Sequence, residues 1–115
     1  MPAIIDLASY IGKSEKALVG RDNGEAVKNK LLTAGYDFEA LEKAGGQIQI
    51  KIPPEVVTIN KSFFLGLFEL NIQRLGADGF SEKYLIDATD HIRRKIADHV
   101  QAAMLKASQK DILNG

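Results

Sequence analysis

The chain has 115 residues, of which 45% are hydrophobic and 26% charged, a balance typical of one folded domain rather than of a disordered segment. Its 15 basic and 15 acidic side chains cancel, which argues against a nucleic-acid partner because phosphate binding needs a basic surface. The absence of cysteine excludes disulfides, thiolate nucleophiles and cysteine-based metal centres.

The first part of the chain predicts a strand followed by two helices. An apolar, β-branched run predicts a strand within 3–11, and the glycine-flanked polar segment 20–24 predicts a turn. Over 25–35 the apolar residues recur with helical spacing, which predicts an amphipathic helix. A shorter helix is predicted over 38–44, with Asp37 as its N-cap.

The middle of the chain predicts a strand, a loop and the most apolar helix. Isoleucine alternates strictly with polar residues over 47–52, which predicts a strand with one buried face, at or near a sheet edge. Two prolines end that strand, and 55–61 is expected to be a loop. A helix is predicted from Ser62, its N-cap, to Gly76. Three of its aromatic residues are expected in the core: Phe63, Phe64 and Phe68.

The last part of the chain predicts a short strand and a long helix. The strand lies within 80–88, and the helix begins at Thr89 or Asp90. Its buried stripe is predicted to consist of Ile92, Ile96, Val100, Ala103 and Ala107. The order β-α-(α)-β-α-β-α predicts a single α/β domain over 1–115, with helices packed on a small sheet that is mostly parallel or mixed. Residues 111–115 are expected to fray.

The sequence carries no recognisable sorting or membrane signal. The N-terminal segment lacks the basic and apolar regions of a secretory signal, and no apolar run approaches the roughly 20 residues that span a bilayer. We therefore expect a cytoplasmic protein with no membrane contact. Its zero net charge leaves little repulsion between copies, which favours a homo-oligomer or a stable protein partner.

Two stretches of the sequence resemble one protein family. One is 20–25, and the other comprises the alternating strand, a loop, the segment 59–68 and the later pair 75–76. Together they resemble the STAS-like domain family of unknown function, small bacterial and phage proteins related in fold to the sulfate-transporter and anti-sigma-factor-antagonist domain. The resemblance spans about 7–100. Its best-matching residues are Arg21, Gly24, Ser62, Phe63 and Phe68.

The resemblance implies a regulatory module that binds another protein, with no catalytic residue and no cofactor. In anti-sigma-factor antagonists, a partner kinase of the histidine-kinase-type ATPase fold phosphorylates a serine or threonine at the start of the helix after a central strand. The phosphate then breaks the complex, and Ser62 occupies a similar place. A phage-encoded inhibitor of a host regulatory protein would use the same kind of contact. The chain departs from the family at Lys51, where an acidic residue is usual, and at 53–55.

Candidate binding residues lie at the start of the apolar helix and at the strand ends. The set expected to dock a partner is Asn60, Lys61, Ser62, Phe63 and Arg21. The alternative is a small-ligand or nucleotide site, because α/β proteins bind ligands at strand ends. This site would use Asn60, Ser62, Asp87 and Asp90. The loop before the helix lacks the glycines of a phosphate-binding loop.

Two of these positions allow more than one interpretation. Ser62 is either a phosphorylation site, where a helix N-terminus stabilises the added charge, or an ordinary N-cap. Arg21 either pins its loop to a carboxylate or accepts an anion of the partner. No metal site is expected, because His91 and His99 are eight residues apart and helical metal-binding pairs use a spacing of three or four.

Overall fold

The computed structural model describes residues 3–12 and 16–114, with side chains as far as residue 104. Its elements in chain order are β1 (Ala3–Asp6), a 3-10 helix (Leu7–Ser9), β2 (Ala17–Leu18), α1 (Arg21–Thr33), α2 (Phe38–Lys43), β3 (Ile48–Lys51), β4 (Thr58–Ile59), α3 (Lys61–Lys83), β5 (Tyr84–Asp87) and α4 (Asp90–Asn114). The described chain is therefore an α/β protein with parallel strands, as the sequence predicts.

Three of the strands form an all-parallel sheet in the order β1-β3-β5. Its register aligns Ile5 with Ile50 and Ile50 with Ile86, and the first two of these side chains are fully buried. The strands β2 and β4 form a separate parallel pair. Each has only two residues, too few for a periodic pattern, so neither was predicted.

The strand β3 lies in the middle of the sheet, so the prediction that it lies near an edge is wrong. Its alternation is real, because Ile48 and Ile50 are buried while Lys51 is exposed. The pattern arises from a sheet that is covered on one face. On the other face, Ile4 and Leu85 are 54% and 47% exposed. An all-parallel sheet with an open face is unusual, since helices normally cover both faces.

The helix α3 supplies most of the aromatic core. Phe63, Phe64 and Phe68 are all buried, which confirms their predicted place. Rings from α2, α3 and β5 pack against one another with centroid distances between 4.8 and 6.1 Å: Phe38, Phe64, Phe68, Phe80 and Tyr84. Such ring pairs hold the helix layer against the covered face of the sheet.

Gly76 interrupts α3, as predicted, because its φ of 78° lies outside the helical region. Glycine adopts this conformation without the steric cost that a side chain would bring. A second helical segment then runs from 77 to Lys83 and places Phe80 in the core. The strand predicted within 80–88 therefore begins only at Tyr84.

The helix α1 begins four residues before the predicted start, at Arg21, so the turn predicted over 20–24 is wrong. Gly24 lies inside the helix and is buried against the backbone of α3. On α3, Gly66 faces the backbone of α1 in the same way. The glycines serve close helix packing, which a pattern read along one segment does not reveal.

The caps and the last helix agree with most of the predictions. Asp37 caps α2, its Oδ1 accepting from the Glu39 N–H at 3.1 Å. The buried stripe of α4 is confirmed as far as Ala103, while the side chain of Ala107 lies outside the described part. The fraying expected at 111–115 stays a prediction.

None of the helices in the described part of the chain is long and apolar enough to cross a membrane.

A buried polar cluster joins α2, α3 and β5. The Tyr84 hydroxyl donates to Glu42 Oε2, and Asn71 Nδ2 donates to Tyr84 Oη at 2.8 Å and to Glu42 Oε2 at 3.2 Å. Arg74 donates to both Glu42 oxygens at 3.1 Å. Burial, and next the hydrogen bond to Glu42, raise the pKa of Tyr84 above the range of an ordinary tyrosine.

The raised pKa of Tyr84 predicts a loss of stability in alkaline solution. The folded state holds the phenolic proton more tightly than the unfolded state, whose tyrosines ionise near pH 10. The stabilisation that comes from protonated Tyr84 is complete below pH 10, and the free energy of unfolding should fall as the pH rises above 10. Urea unfolding at several pH values between neutral and 11 measures this slope. Tyr84→Phe should have a smaller slope, and an unchanged slope would contradict the prediction.

Candidate functional site

The junction between β4 and α3 is held by the side chain of Asn60. Its Oδ1 accepts from the N–H of Phe63 at 2.9 Å, which makes Asn60 the N-cap of α3. The same oxygen accepts from the N–H of Gly20 at 3.3 Å, just before α1. The prediction that Ser62 is the N-cap is therefore wrong. One carboxamide oxygen thus joins the starts of two helices.

Ser62 lies in the first turn of α3 and is exposed. Its hydroxyl forms no hydrogen bond with another described residue, because Asn60 already performs the capping. Lys61 beside it is also exposed. Phe63, by contrast, is 2% exposed and belongs to the core. Of the four docking residues predicted over 60–63, Asn60, Lys61 and Ser62 are therefore exposed at the surface, and Phe63 is not.

Two exposed apolar side chains flank the β2–β4 pair that precedes α3. The parallel register places Val19 opposite Asn60, at the start of α3, and Val57 opposite Lys16, at the other end of the strand pair. They are 45% and 58% exposed. The N–H of Asn60 donates to Leu18 O at 2.9 Å, and the N–H of Val57 donates to Lys16 O at 2.7 Å. We call the exposed set Val19, Val57, Asn60, Lys61 and Ser62 the α3-start surface.

The helix α4 supports the α3-start surface from behind. His99 Nε2 lies 2.8 Å from the carbonyl oxygen of Ile59, an acceptor, so this nitrogen carries the proton. The His99 ring also packs on Phe64, with the ring centroids 5.7 Å apart. His99 therefore has a structural contact in the fold, whereas His91 is exposed.

Arg21 forms an ion pair across the α1–α3 interface. Its Nη1 lies 2.7 Å from Glu69 Oε2, so the interpretation of Arg21 as the partner of a carboxylate holds within the chain itself. The Arg21 side chain is 41% exposed, and solvent screening keeps such a pair worth no more than about 1 kcal/mol. The pair joins the first residue of α1 to the interior of α3.

Asp87 and Asp90 lie at a different place from the α3-start surface. Asp87 ends β5, and Asp90 is the first residue of α4. Thr89 Oγ1 accepts from the Ile92 N–H at 3.4 Å, so Thr89 is the cap of the two predicted. His99, which contacts the β4–α3 junction, is nine residues and about 13 Å along α4 from Asp90. The junction therefore lies beside the middle of α4 rather than its start.

A cleft of about 450 Å³ lies at the carboxyl ends of β1, β3 and β5. Its polar lining includes Asp6, Lys51 and Asp87, and its walls include Pro53 and Pro54. Neither Asn60 nor Ser62 lines it, so the ligand site predicted from all four strand-end residues is not brought together. Of the three charged residues in this lining, only Asp87 was predicted from the sequence as a binding residue, and Asp6 and Lys51 were not. Asp6 and Asp87 each end a strand, which is a signal in the sequence, but the sequence does not give the order of the strands in the sheet.

Among the residues that the structure describes, no three His, Asp or Glu side chains come together in a way that could hold a metal ion.

No family model matches the chain, and neither a curated protein nor a solved structure matches it.

Proposed function

We propose that this chain is a cytoplasmic, non-enzymatic regulatory module of STAS-like type that binds a protein partner through the α3-start surface. Phosphorylation of Ser62 would release the partner. The partner would be a kinase of the histidine-kinase-type ATPase fold or a host regulatory protein. Two things support such a function: the resemblance of 59–68 to the STAS-like family, and the exposure of Ser62 at the start of α3.

The observation that carries the proposal is the free hydroxyl of Ser62. An N-cap serine would have its oxygen occupied by a backbone N–H and would be a poor switch. Here Asn60 caps the helix, and the Ser62 hydroxyl is exposed and unbonded to other described residues. Val19, opposite Asn60, and Val57, at the other end of the β2–β4 pair, supply exposed apolar area of the kind that marks an interface.

A phosphate at Ser62 would change binding without unfolding the domain. The first turn of a helix favours negative charge by about 0.3–1 kcal/mol, so the modified helix would be slightly more stable. The partner surface, in contrast, would face about two new negative charges beside the exposed valines. Loss of binding would then result from repulsion and desolvation at the interface.

The test uses affinity capture with the full chain, followed by binding measurements on the partner identified by mass spectrometry. Ser62→Asp should weaken binding about 100-fold, equivalent to about 2.8 kcal/mol, while Ser62→Ala should bind as the unmodified chain does. Ser81→Asp is the charge-matched control, because Ser81 is exposed on the later segment of α3. Equal binding by the two Ser62 variants would reject the switch. If Ser81→Asp weakened binding equally, added charge in general would be the cause.

A further inference from the structure

The cleft at the carboxyl ends of the three-stranded sheet carries an ordered row of charges. The register aligns Asp6 of β1 with Lys51 of β3, and Lys51 with Asp87 of β5. All three side chains are exposed and belong to the open face of the sheet. Adjacent strands are about 4.8 Å apart, so the row reads negative, positive, negative at that spacing. Parallel pairing, which brings all the carboxyl ends to one edge, creates this row.

The charges of the row remain available to a ligand. Within the described part of the chain, no ion pair joins Lys51 to either aspartate, and the Lys51 side chain has no hydrogen bond. Asp6 uses Oδ1 to accept from the Ala8 N–H at 3.0 Å, and Asp87 uses Oδ2 to accept from Gln49 Nε2 at 3.2 Å. Each carboxylate is therefore held in place with its second oxygen unbonded to described residues.

The apolar walls of the cleft indicate the kind of side chain that a ligand would have. Pro53, Pro54 and Ala88 line the cleft beside the charged row. A volume of about 450 Å³ with apolar walls and a few oriented polar groups is typical of a small-molecule site. The two carboxylates outnumber the single ammonium, which disfavours phosphate-rich ligands such as nucleotides.

We propose that this cleft binds a free α-amino acid with a small apolar side chain. Its carboxylate pairs with the Lys51 ammonium, its ammonium pairs with the free oxygen of Asp6 or Asp87, and its side chain packs on the prolines. The ammonium and carboxylate of an α-amino acid are adjacent to each other, and so are the opposite charges of the row. Each contact is a charge-assisted hydrogen bond in a partly enclosed cleft, and both contacts contribute to the affinity. This site is separate from the α3-start surface and does not depend on the function proposed for it.

The test is a titration of the ¹⁵N-labelled full chain with L-valine, followed by NMR. We expect a dissociation constant below about 1 mM, with shifts in the amides of Lys51 and Ile52 and of 87–89. Isobutylamine and isobutyrate each carry one of the two charged groups and should bind at least about 10-fold more weakly. Absence of saturable shifts with L-valine would reject the site. Equal binding of isobutylamine or isobutyrate would reject the paired recognition of ammonium and carboxylate.

Variants of the row provide the second arm of this test. Lys51→Met should weaken L-valine binding at least about 10-fold, and so should the double variant Asp6→Asn with Asp87→Asn, since each removes one charge-assisted contact. All three residues are exposed, so the fold should survive, which thermal unfolding checks. Lys95→Met, on the exposed face of α4, is the matched control and should bind normally. Normal binding by Lys51→Met would overturn the assignment. Ser62→Asp should leave L-valine binding unchanged, and a loss there would show that the two sites are not separate.

Discussion

The Gly66→Ala variant is expected to lose about 2–4 kcal/mol of the free energy of unfolding. A Cβ at Gly66 would overlap the carbonyl oxygen of Arg21 and lie 3.1 Å from the amide nitrogen of Glu25. These are backbone atoms of α1, which cannot rotate away as a flexible side chain would. The two helices would have to separate, and Gly24→Ala should act in the same way because its Cβ would overlap the carbonyl oxygen of Phe63.

The matched control for Gly66→Ala is Gly79→Ala. Gly79 lies in the later segment of α3, and its added Cβ would meet only the Leu75 Cβ, at 3.3 Å. The higher helix propensity of alanine, about 0.5–1 kcal/mol, should offset that contact. Urea unfolding followed by circular dichroism gives the free energies. Similar losses for the two variants would show that glycine is required along α3 generally, and not at its contact with α1.

The Glu42→Ala variant is expected to lose about 2–4 kcal/mol of the free energy of unfolding. The Glu42 side chain is 8% exposed and accepts hydrogen bonds from Tyr84, Asn71 and Arg74. Its removal leaves the buried Tyr84 hydroxyl without its acceptor, and Asn71 Nδ2 keeps only the hydrogen bond to Tyr84 Oη. Arg74 is 33% exposed and can turn to water, so it contributes little to this loss.

Glu39→Ala tests whether burial, and not charge alone, causes the effect of Glu42→Ala. Glu39 lies on the same helix and pairs with the same arginine, its Oε1 lying 3.6 Å from Arg74 Nη1. Its side chain is 62% exposed, so its loss should cost less than about 0.5 kcal/mol. Chemical unfolding of both variants at neutral pH compares them directly. A loss at Glu39 as large as that at Glu42 would contradict the importance of the buried cluster.

The error at the start of α3 has a physical cause in strand pairing. Ser62 and Asn60 are both good N-cap residues, and the sequence does not show which of them takes an extended backbone. The pairing of β2 with β4 decides this, because it holds Asn60 at a ψ of 165° with its N–H bonded to Leu18 O. The helix then begins at Lys61, and Ser62 becomes a free surface hydroxyl. A contact between residues 42 positions apart thus decides which residue caps the helix.

The candidate cleft could be predicted only in part. That Asp87 ends a strand follows from the local pattern, and sites at strand ends are general in α/β proteins. The neighbours of Asp87 across the sheet could not be predicted, because Asp6 and Lys51 are brought to it by strand order and register. The alternation in β3 correctly predicts which side chains face the core, but it does not predict that β3 is the central strand.

The sequence by itself determined the class of the fold, the order of the main elements, the aromatic core of α3 and the break at Gly76. These features depend on local preferences and on periodicity, which a single segment carries. Only the tertiary structure decided that β3 is central, that Gly24 and Gly66 allow two backbones to meet, and that Asn60 caps α3. Each of these depends on pairing between segments distant in the chain, and the free energy of such pairing is not contained in either segment alone.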